Sequence, residues 1–393
     1  MTTTIDAGSV WLGADDCRID DFVALVEQTT DPDAYPFADL IEQHVPIYDC
    51  ERLRQHLGEP GGRRAVQTEI VRVLLDGPGL AVFRNAIVDH SIVDRASDAY
   101  YELIAQQQRE GRAAGDHYAK PGANDRVWNA LEKLALGWPA VFGDYYANDI
   151  IALVSTAWLG PAYQVTSQVN VVNPGGAAQS PHRDYHIGFL TDHDAEQYPL
   201  HAHRLSPVLT LQGAIAHCDM PVETGPTTYL PYSQRYDAGF LAWRNQAFID
   251  YFEAHRVQLP METGDAVFLS PALFHAAGHN RTTDRKRMVN LLQVSSAFGR
   301  AMESVDRAQM SNVLFPTLLE MYRSGNESSV RNVIAASAEG YAFPSNLDFE
   351  QPIGGLAPPS QADHVWRAVV EGWTPEALAA ELDAHARRRL THA

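Results

Sequence analysis

The stretch Gln164-Val165-Thr166-Ser167-Gln168-Val169-Asn170-Val171-Val172 decides the fold, because the chain changes there from helical to β-type patterning. It alternates and is rich in Val and Thr, which is typical of a β-strand. Further segments of this kind, separated by Pro, Gly and Asp turns, are Val208 to Cys218, Thr227 to Leu230, Ala266 to Leu269 and Met288 to Val294. Strands at this spacing favour a barrel or jelly roll, whose mouth can hold a metal ion.

Helical patterns flank this β-rich part on both sides. The candidate helices are Gln67 to Leu75, a helix capped by Asp89 or Ser91 that runs towards Arg112, Ala140 to Leu159, Tyr236 to His255 inside the core, and Pro375 to Arg389 after the capping residue Thr374. The sequence therefore predicts an α+β fold: a double-stranded β-helix (jelly-roll, cupin-like) core with N- and C-terminal helical flanks. We expect a single domain over 1–393, with a mostly helical flank at 1–160, the core and metal site at 161–300, and a helical extension at 301–393.

Composition limits the functional classes. The 393 residues are 45% hydrophobic and 20% charged, which is enough apolar material for a substantial core. The net charge of −19 opposes long-range attraction to nucleic acid or to an anionic membrane, so a small molecule is the expected partner. Three scattered cysteines fit a reducing compartment, and no secretory or membrane-spanning pattern is found, which predicts a cytoplasmic location.

His182-Arg183-Asp184 is the first candidate for metal chemistry. Side chains two apart on a strand point to the same face, so His182 and Asp184 can reach one point while Arg183 faces away. His275 follows the apolar run Leu273-Phe274 and would come from a different strand. Alone, the tripeptide would be read as a solvated turn, and the lone histidine as a core residue. Together, two imidazoles and one carboxylate form the facial triad that holds non-haem Fe(II).

Arg287 is the second candidate, because it opens the apolar segment Met288 to Val294. A cation there is costly unless an anion meets it, and a guanidinium can grip a carboxylate with two hydrogen bonds. The neighbouring Arg281 and Arg285 fit a solvated turn.

In this order the residues resemble the phytanoyl-CoA dioxygenase-like branch of the Fe(II)/2-oxoglutarate-dependent oxygenases. The matching pieces are His182-Arg183-Asp184, the turn Glu223 to Thr227 leading to Pro231-Tyr232-Ser233-Gln234, His275, and Gly278-His279-Asn280-Arg281 leading to Arg287. The resemblance covers about 160–300. The family's Pro-Gly-Ser-His-like segment is replaced here by Pro231 to Gln234, which suggests a distinct subgroup. The basic residue that grips 2-oxoglutarate could align with Lys286 or Arg287, and Arg287 restores the usual side-chain type.

The resemblance implies an enzyme that uses Fe(II), 2-oxoglutarate and O2 to hydroxylate a small molecule, with release of succinate and CO2. His182, Asp184 and His275 would be the metal ligands and catalytic residues. Halogenating relatives have a small residue in place of the carboxylate, so Asp184 favours hydroxylation. Arg287 and Thr227 would bind the cofactor, together with Gln168 and Asn170, although a core amide can equally well be paired within the protein.

Substrate binding is expected upstream of the core. Lys120, Arg126 and Trp128 lie in a polar and aromatic segment that could fold over the barrel mouth, although a solvated loop between helices fits it equally well. We expect His186 to line the pocket next to the metal ligands. The helices after residue 300 could cap the pocket or form a homodimer contact.

Two rival functions stay open at this point. A cupin-like metal oxygenase that does not use 2-oxoglutarate would need the triad but not Arg287. A catalytically silent metal- or ligand-binding jelly roll is the rival from another class, although it would have no reason to retain an open iron site.

Overall fold

A computed structural model describes residues 10–112 and 122–392 of the chain. Its strands form two sheets. The strands are β1 (Leu40–Glu42), β2 (Val45–Asp49), β3 (Leu80–Arg84), β4 (Asn124–Val127), β5 (Gln164–Val172), β6 (Thr210–Ala216), β7 (Thr228–Leu230), β8 (Val257–Gln258), β9 (Ala266–Leu269), β10 (Phe274–Ala276) and β11 (Arg287–Ser295).

The α-helices lie mainly before β5 and after β11. They are α1 (Ile19–Val26), α2 (Cys50–Leu57), α3 (Gly62–Leu75), α4 (His90–Arg109), α5 (Ala130–Gly137), α6 (Pro139–Tyr146), α7 (Asp149–Leu159), α8 (Asp192–Ala195), α9 (Leu200–Leu205), α10 (Gly239–Ala242), α11 (Gln246–His255), α12 (Arg307–Arg323), α13 (Glu327–Ser337), α14 (Gln361–Glu371) and α15 (Pro375–Arg388).

The large sheet has the strand order β1-β2-β3-β9-β6-β11-β5-β4, and the small sheet has the order β10-β7-β8. The neighbouring strands are antiparallel except for β2 and β3. This arrangement of a β core with helical flanks confirms the predicted fold class. The strands β10 and β11 belong to different sheets, so His275 and Arg287 are not joined by one hairpin.

Strand β11 gives the large sheet two chemically different faces. It pairs along its length with β5 and β6, so Leu291 lies opposite Gln168 and Leu292 lies opposite Ser167. Leu292 faces a large apolar cluster that includes side chains of α3 to α7 and α12. Leu291 lines a cavity on the other face, which lies towards the small sheet. The helices thus support one face of the sheet and leave the other available for a site.

The structure confirms several predicted elements closely. Strand β5 has the expected bounds, and the Asp89 carboxylate caps α4 by accepting a hydrogen bond from the backbone N–H of Ser91. Thr374 caps α15 in the same way through the N–H of Ala377. These agreements follow from local signals, since a cap acts within one helical turn.

Two long helices were predicted wrongly as continuous. The segment Ala140 to Leu159 is divided between α6 and α7, because Asn148 accepts hydrogen bonds from two backbone N–H groups and so begins a new helix. The segment Tyr236 to His255 is divided between α10 and α11, where Asn245 is the cap. In both cases a short polar side chain interrupts an otherwise apolar helical pattern.

The predicted N-terminal flank contains strands that the sequence analysis missed. Strands β1, β2 and β4 lie before residue 161 and join the large sheet, with β3 between β2 and β9. The sheet therefore extends beyond the predicted core at 161–300. The domain boundaries, the homodimer contact and the cytoplasmic location stay predictions. Among residues 10–112 and 122–392, no helix has both the length and the apolar composition that a membrane crossing needs.

We predict that Leu292→Ala lowers the free energy of unfolding by about 2–5 kcal/mol, because the fully buried side chain would leave a cavity against the helices. Urea denaturation measures the change. Leu291→Ala on the same strand is the matched control and should cost about 1 kcal/mol or less, because that side chain already borders a cavity. Equal losses in the two variants would contradict the assignment of the two faces.

Candidate metal centre

The two histidines of the predicted triad are joined through their backbones. The N–H of His182 donates to the carbonyl of His275 at 3.0 Å, and the N–H of His275 donates to the carbonyl of His182 at 3.2 Å. His275 lies on β10, whereas His182 forms only this isolated bridge. The expectation that His182 and Asp184 lie on a regular strand was therefore wrong, because this segment makes single contacts and no continuous ladder.

Backbone carbonyls orient both imidazole rings. Nδ1 of His182 lies 3.0 Å from the carbonyl oxygen of Ser180, and Nδ1 of His275 lies 2.9 Å from that of Leu273. A carbonyl oxygen can only accept, so Nδ1 donates in each ring. Nε2 is then the nitrogen that can bind a metal ion once it carries no proton.

Asp184 completes the cluster. Its carboxylate oxygens lie 3.9 Å from Nε2 of His182 and 3.4 Å from Nε2 of His275, and one ligand atom from each of the three residues lies within 4.8 Å of the others. Gln212 on β6 donates a hydrogen bond to the same carboxylate. Burial would raise the pKa of Asp184, but the two histidines and Gln212 outweigh it and hold the pKa well below its usual range. The group is a carboxylate at neutral pH, as a metal ligand must be.

Arg183 faces away from the cluster, as predicted, and its side chain is fixed in the protein interior. Its side chain is buried between the rings of Phe240 and Phe274, with the guanidinium carbon 4.9 and 5.2 Å from the ring centres. Its Nη2 donates to the carbonyl oxygens of Ser233 and Tyr236. Burial lowers the pKa of Arg183 to about 9, so the group stays charged at neutral pH. The residue between two candidate ligands is thus fixed by the protein interior.

The cluster opens into a cavity between the two sheets. Most of the predicted site residues line it, namely Arg126, Trp128, Gln168, Asn170, His182, Asp184, Thr227, His275 and Arg287. Strand register explains part of this grouping, since Asn170 lies opposite Val289 and Gln168 lies opposite Leu291 on one face of β5 and β11. The residues that the sequence grouped by chemistry therefore share one enclosed space.

Arg287 fits an anionic ligand. Only 3% of the residue is exposed, and its Nε and Nη1 have no hydrogen-bond partner within the part of the chain that the structure describes. Burial lowers its pKa to about 10, which still leaves it charged at neutral pH. Lys286, the alternative cofactor residue, is exposed and does not line the cavity. A buried cation with unsatisfied donors matches a carboxylate group of an anionic ligand.

Gln168 and Asn170 are held by side chains of the neighbouring strand β4. Arg126 donates from Nη2 to Oε1 of Gln168 at 2.6 Å, and Asn124 donates from Nδ2 to Oδ1 of Asn170 at 2.9 Å. The Arg126 guanidinium also lies 4.6 Å from the ring centre of Trp128. These contacts therefore hold β4, Arg126 and the adjoining Trp128 at the cavity wall, which the two amides also line.

Two predicted site residues are not brought to this cavity by the described structure. His186 does not line it, and its Nδ1 lies 3.2 Å from the hydroxyl of Ser206. The expectation that it lines the pocket was wrong, because positive φ angles of 65° at Tyr185 and 39° at His186 turn the backbone after Asp184. Lys120 lies outside the described residues.

The sequence analysis missed Gln212 and Gln293, which also line the cavity. They are directly opposite each other on β6 and β11, and Gln293 is opposite Thr166 on β5. The available signal was a glutamine in the middle of an apolar strand segment. Such a residue has to find a polar partner, and for Gln212 that partner is Asp184.

Comparison of the sequence with known protein families gives a match. The sequence profile described as phytanoyl-CoA dioxygenase matches residues 75–288. No curated protein shows significant sequence similarity to the chain.

Several solved structures are similar to the chain at low identity. The epimerase SnoN, described as non-heme and alpha ketoglutarate dependent and from nogalamycin biosynthesis, is 19% identical over 61% of this chain and 82% of its own, with a TM-score of 0.41. The carbocyclase SnoK, described in the same terms, is 21% identical over 61% and 88%, with a TM-score of 0.42. AviO1 from Streptomyces viridochromogenes is 18% identical over 59% and 96%, with a TM-score of 0.43. With TM-scores below 0.5, these similarities support no conclusion about the reaction of this chain.

We predict that Gln212→Leu weakens Fe(II) binding by roughly 10–100-fold, because Asp184 loses the donor that orients it. Anaerobic equilibrium dialysis against Fe(II) measures the affinity. Gln293→Leu is the matched control, since Gln293 lines the same cavity from the facing position on β11. An equal loss in both variants would mean that general cavity polarity, and not the bond to Asp184, sets the affinity.

Proposed function

The chain belongs to the phytanoyl-CoA dioxygenase family, and from that membership we propose that it hydroxylates a small molecule with release of succinate and CO2. It is an oxygenase-type enzyme whose cofactors are iron and 2-oxoglutarate. We assign His182, Asp184 and His275 as the iron ligands and catalytic residues. We assign Arg287 as the residue that grips 2-oxoglutarate.

The observation that carries this proposal is the buried Arg287 guanidinium beside the cluster. It lines the cavity that His182, Asp184 and His275 also line, and two of its donors have no partner in residues 10–112 and 122–392. An oxygenase without 2-oxoglutarate would have no use for this cation, nor would a silent metal-binding jelly roll. A buried donor without a hydrogen-bond partner costs about 1–3 kcal/mol. A carboxylate ligand that accepts from Arg287 would explain why the cation is buried there.

Different residues of the site hold the metal ion, orient its ligands and limit the entry of water. When bound, iron and 2-oxoglutarate supply the oxidation of a substrate C–H bond by O2. The two oriented imidazoles and the Asp184 carboxylate hold one side of the metal position, and Gln212 keeps the carboxylate in place. Apolar side chains of the sheet, Val267, Leu269 and Leu291, line the same cavity and limit the entry of water.

Hydroxylation is the reaction that we propose for this site. Asp184 occupies the position where halogenating relatives have a small residue, so its carboxylate leaves no place for a halide at the metal. Product analysis under ¹⁸O₂ separates hydroxylation from epimerisation and cyclisation, because hydroxylation adds one labelled oxygen atom to the product and the other two reactions add none. A converted substrate without the label, formed together with succinate, would contradict the hydroxylase assignment.

We propose that Arg126 and Trp128 contribute to substrate binding. Both line the cavity, and the guanidinium lies against the indole ring. Thr227, Gln168 and Asn170 line the same cavity and are proposed to contact the cofactor or the substrate. The role of Lys120 stays a prediction.

The decisive experiment is an anaerobic titration of the Fe(II)-loaded protein with 2-oxoglutarate. A weak visible charge-transfer band, from the keto acid chelated to iron, is expected for the wild type and absent for His275→Ala. His186→Ala is the matched control and should keep the band, because His186 contacts Ser206 and not the cavity. A fully metallated wild type without the band would contradict the proposed use of 2-oxoglutarate.

We predict that Arg287→Ala raises the 2-oxoglutarate concentration for half-maximal turnover by roughly 10–100-fold, which corresponds to the loss of about 1.5–3 kcal/mol of charge-assisted hydrogen bonding. Arg287→Lys should fall between the wild type and Arg287→Ala, because it keeps the charge but loses the planar fork. Succinate release measures the dependence. Lys286→Ala should leave it unchanged, and a large effect there would transfer the role to Lys286.

A further inference from the structure

A second cluster of metal-ligating side chains lies in the C-terminal helices. Its members are Glu350 in the connection between α13 and α14, His364 on α14, and His385 on α15. One ligand atom from each residue lies within 4.8 Å of the others, as in the first cluster. All three positions lie outside the segment 75–288 that matches the family profile.

The cluster is buried and its hydrogen bonding is incomplete. His364 is 4% exposed, His385 is 2% exposed, and their ring centres are 4.8 Å apart. Nε2 of both rings and Oε2 of Glu350 are buried without a hydrogen-bond partner in the described part of the chain. Burial lowers the pKa of both imidazoles, which favours the neutral form that binds metals. Each residue therefore offers one unused ligand atom.

Carboxylates and a guanidinium surround the cluster. Oε1 of Glu381 lies 3.2 Å from Nδ1 of His364, and Oε1 of Glu350 lies 3.5 Å from Nδ1 of His385. Arg388 donates to both carboxylates, at 2.6 and 3.0 Å, and Nη2 of Arg367 lies 3.4 Å from Nδ1 of His364. Contacts of this type orient the ligands of a metal site. Without a metal ion, four buried polar atoms of these residues would stay unpaired, which is costly: Nε2 of His364, both ring nitrogens of His385 and Oε2 of Glu350.

We propose that Glu350, His364 and His385 bind a structural divalent transition-metal ion, for which Zn²⁺ is the best match. Imidazole nitrogen and carboxylate oxygen are ligands that Zn²⁺ accepts, and a fourth position is left for water, while Glu381 contacts Nδ1 of His364 and orients that ring. The carboxylate groups of Glu350 and Glu381, both paired with Arg388, place two negative charges near the ion.

The ion would fasten a long irregular connection. The chain between Ser337 at the end of α13 and Gln361 at the start of α14 contains no strand or α-helix, and connections of this length are uncommon without a function. Its contacts converge on the end of α15, through Glu350 with Arg388, Asn346 with Leu390, and Pro344 with Arg389. A metal ion bound by Glu350 would add coordination bonds to these hydrogen bonds and would join the connection to both α14 and α15.

The test uses the full chain with the first cluster removed by His182→Ala and Asp184→Ala. After metal stripping and dialysis against Zn²⁺, elemental analysis is expected to find one Zn²⁺ per chain in this variant. Adding Glu350→Gln and His385→Ala should abolish that Zn²⁺. His255→Ala, which removes an exposed histidine of α11, is the matched control and should retain it. Co²⁺ in place of Zn²⁺ should give the intense visible bands of a four-coordinate site.

The variant His182→Ala, Asp184→Ala tests the proposed Zn²⁺ site even if Glu350→Gln and His385→Ala prevent folding. A folded His182→Ala, Asp184→Ala chain that binds no Zn²⁺ would overturn the proposal and leave a metal-free polar network. Zn²⁺ should also slow proteolysis between residues 338 and 360 in that variant, and unchanged cleavage would argue against the fastening role. The outcome is independent of the 2-oxoglutarate titration, so either proposal can fail alone.

Discussion

The continuous pairing of β11 with β5 on one side and β6 on the other is the interaction on which the rest of the structure depends. Nine residue pairs join β11 to β5 and seven join it to β6. Because this pairing fixes which side chains share a face, it directs Leu292 to the helices and Leu291 to the cavity. It also places Arg287 at the start of the strand, where the backbone pairing with Val172 holds a cation that has no anionic partner among the described residues.

The metal cluster is built differently, from single contacts and without a regular strand on the His182 side. Two backbone hydrogen bonds bring His182 to His275, two carbonyls turn the rings, and Gln212 holds Asp184. An irregular segment can adopt the geometry that a metal ion requires, whereas a strand would impose its own spacing. The regular sheet supplies rigidity, and the irregular segment beside it supplies the ligands.

Much of the fold and of the site could be predicted from sequence, because the relevant signals are local. Strand β5 shows its valine and threonine pattern within nine residues, and the ligand set is marked by unusual residue types in a fixed order. Strands β1 and β2 could not be predicted, since short strands in a proline-containing segment carry little pattern and depend on pairing with β3. His186 was misplaced because the left-handed backbone conformation at Tyr185 is invisible to spacing arguments. The second cluster forms only where α14, α15 and the connection before α14 pack together, and no local sequence pattern predicts that packing. Its residues are Glu350, His364 and His385.

Arg183 lies between His182 and Asp184 in the chain, and its position depends on a residue outside the cavity, Gly239. Its guanidinium fills the space beside Gly239, where an added Cβ atom would lie 2.0 Å from the guanidinium carbon. A side chain at position 239 would displace this guanidinium from its place between the rings of Phe240 and Phe274. The absence of a side chain at position 239 of α10 therefore leaves room for the residue that lies between His182 and Asp184, two of the iron ligands that we propose.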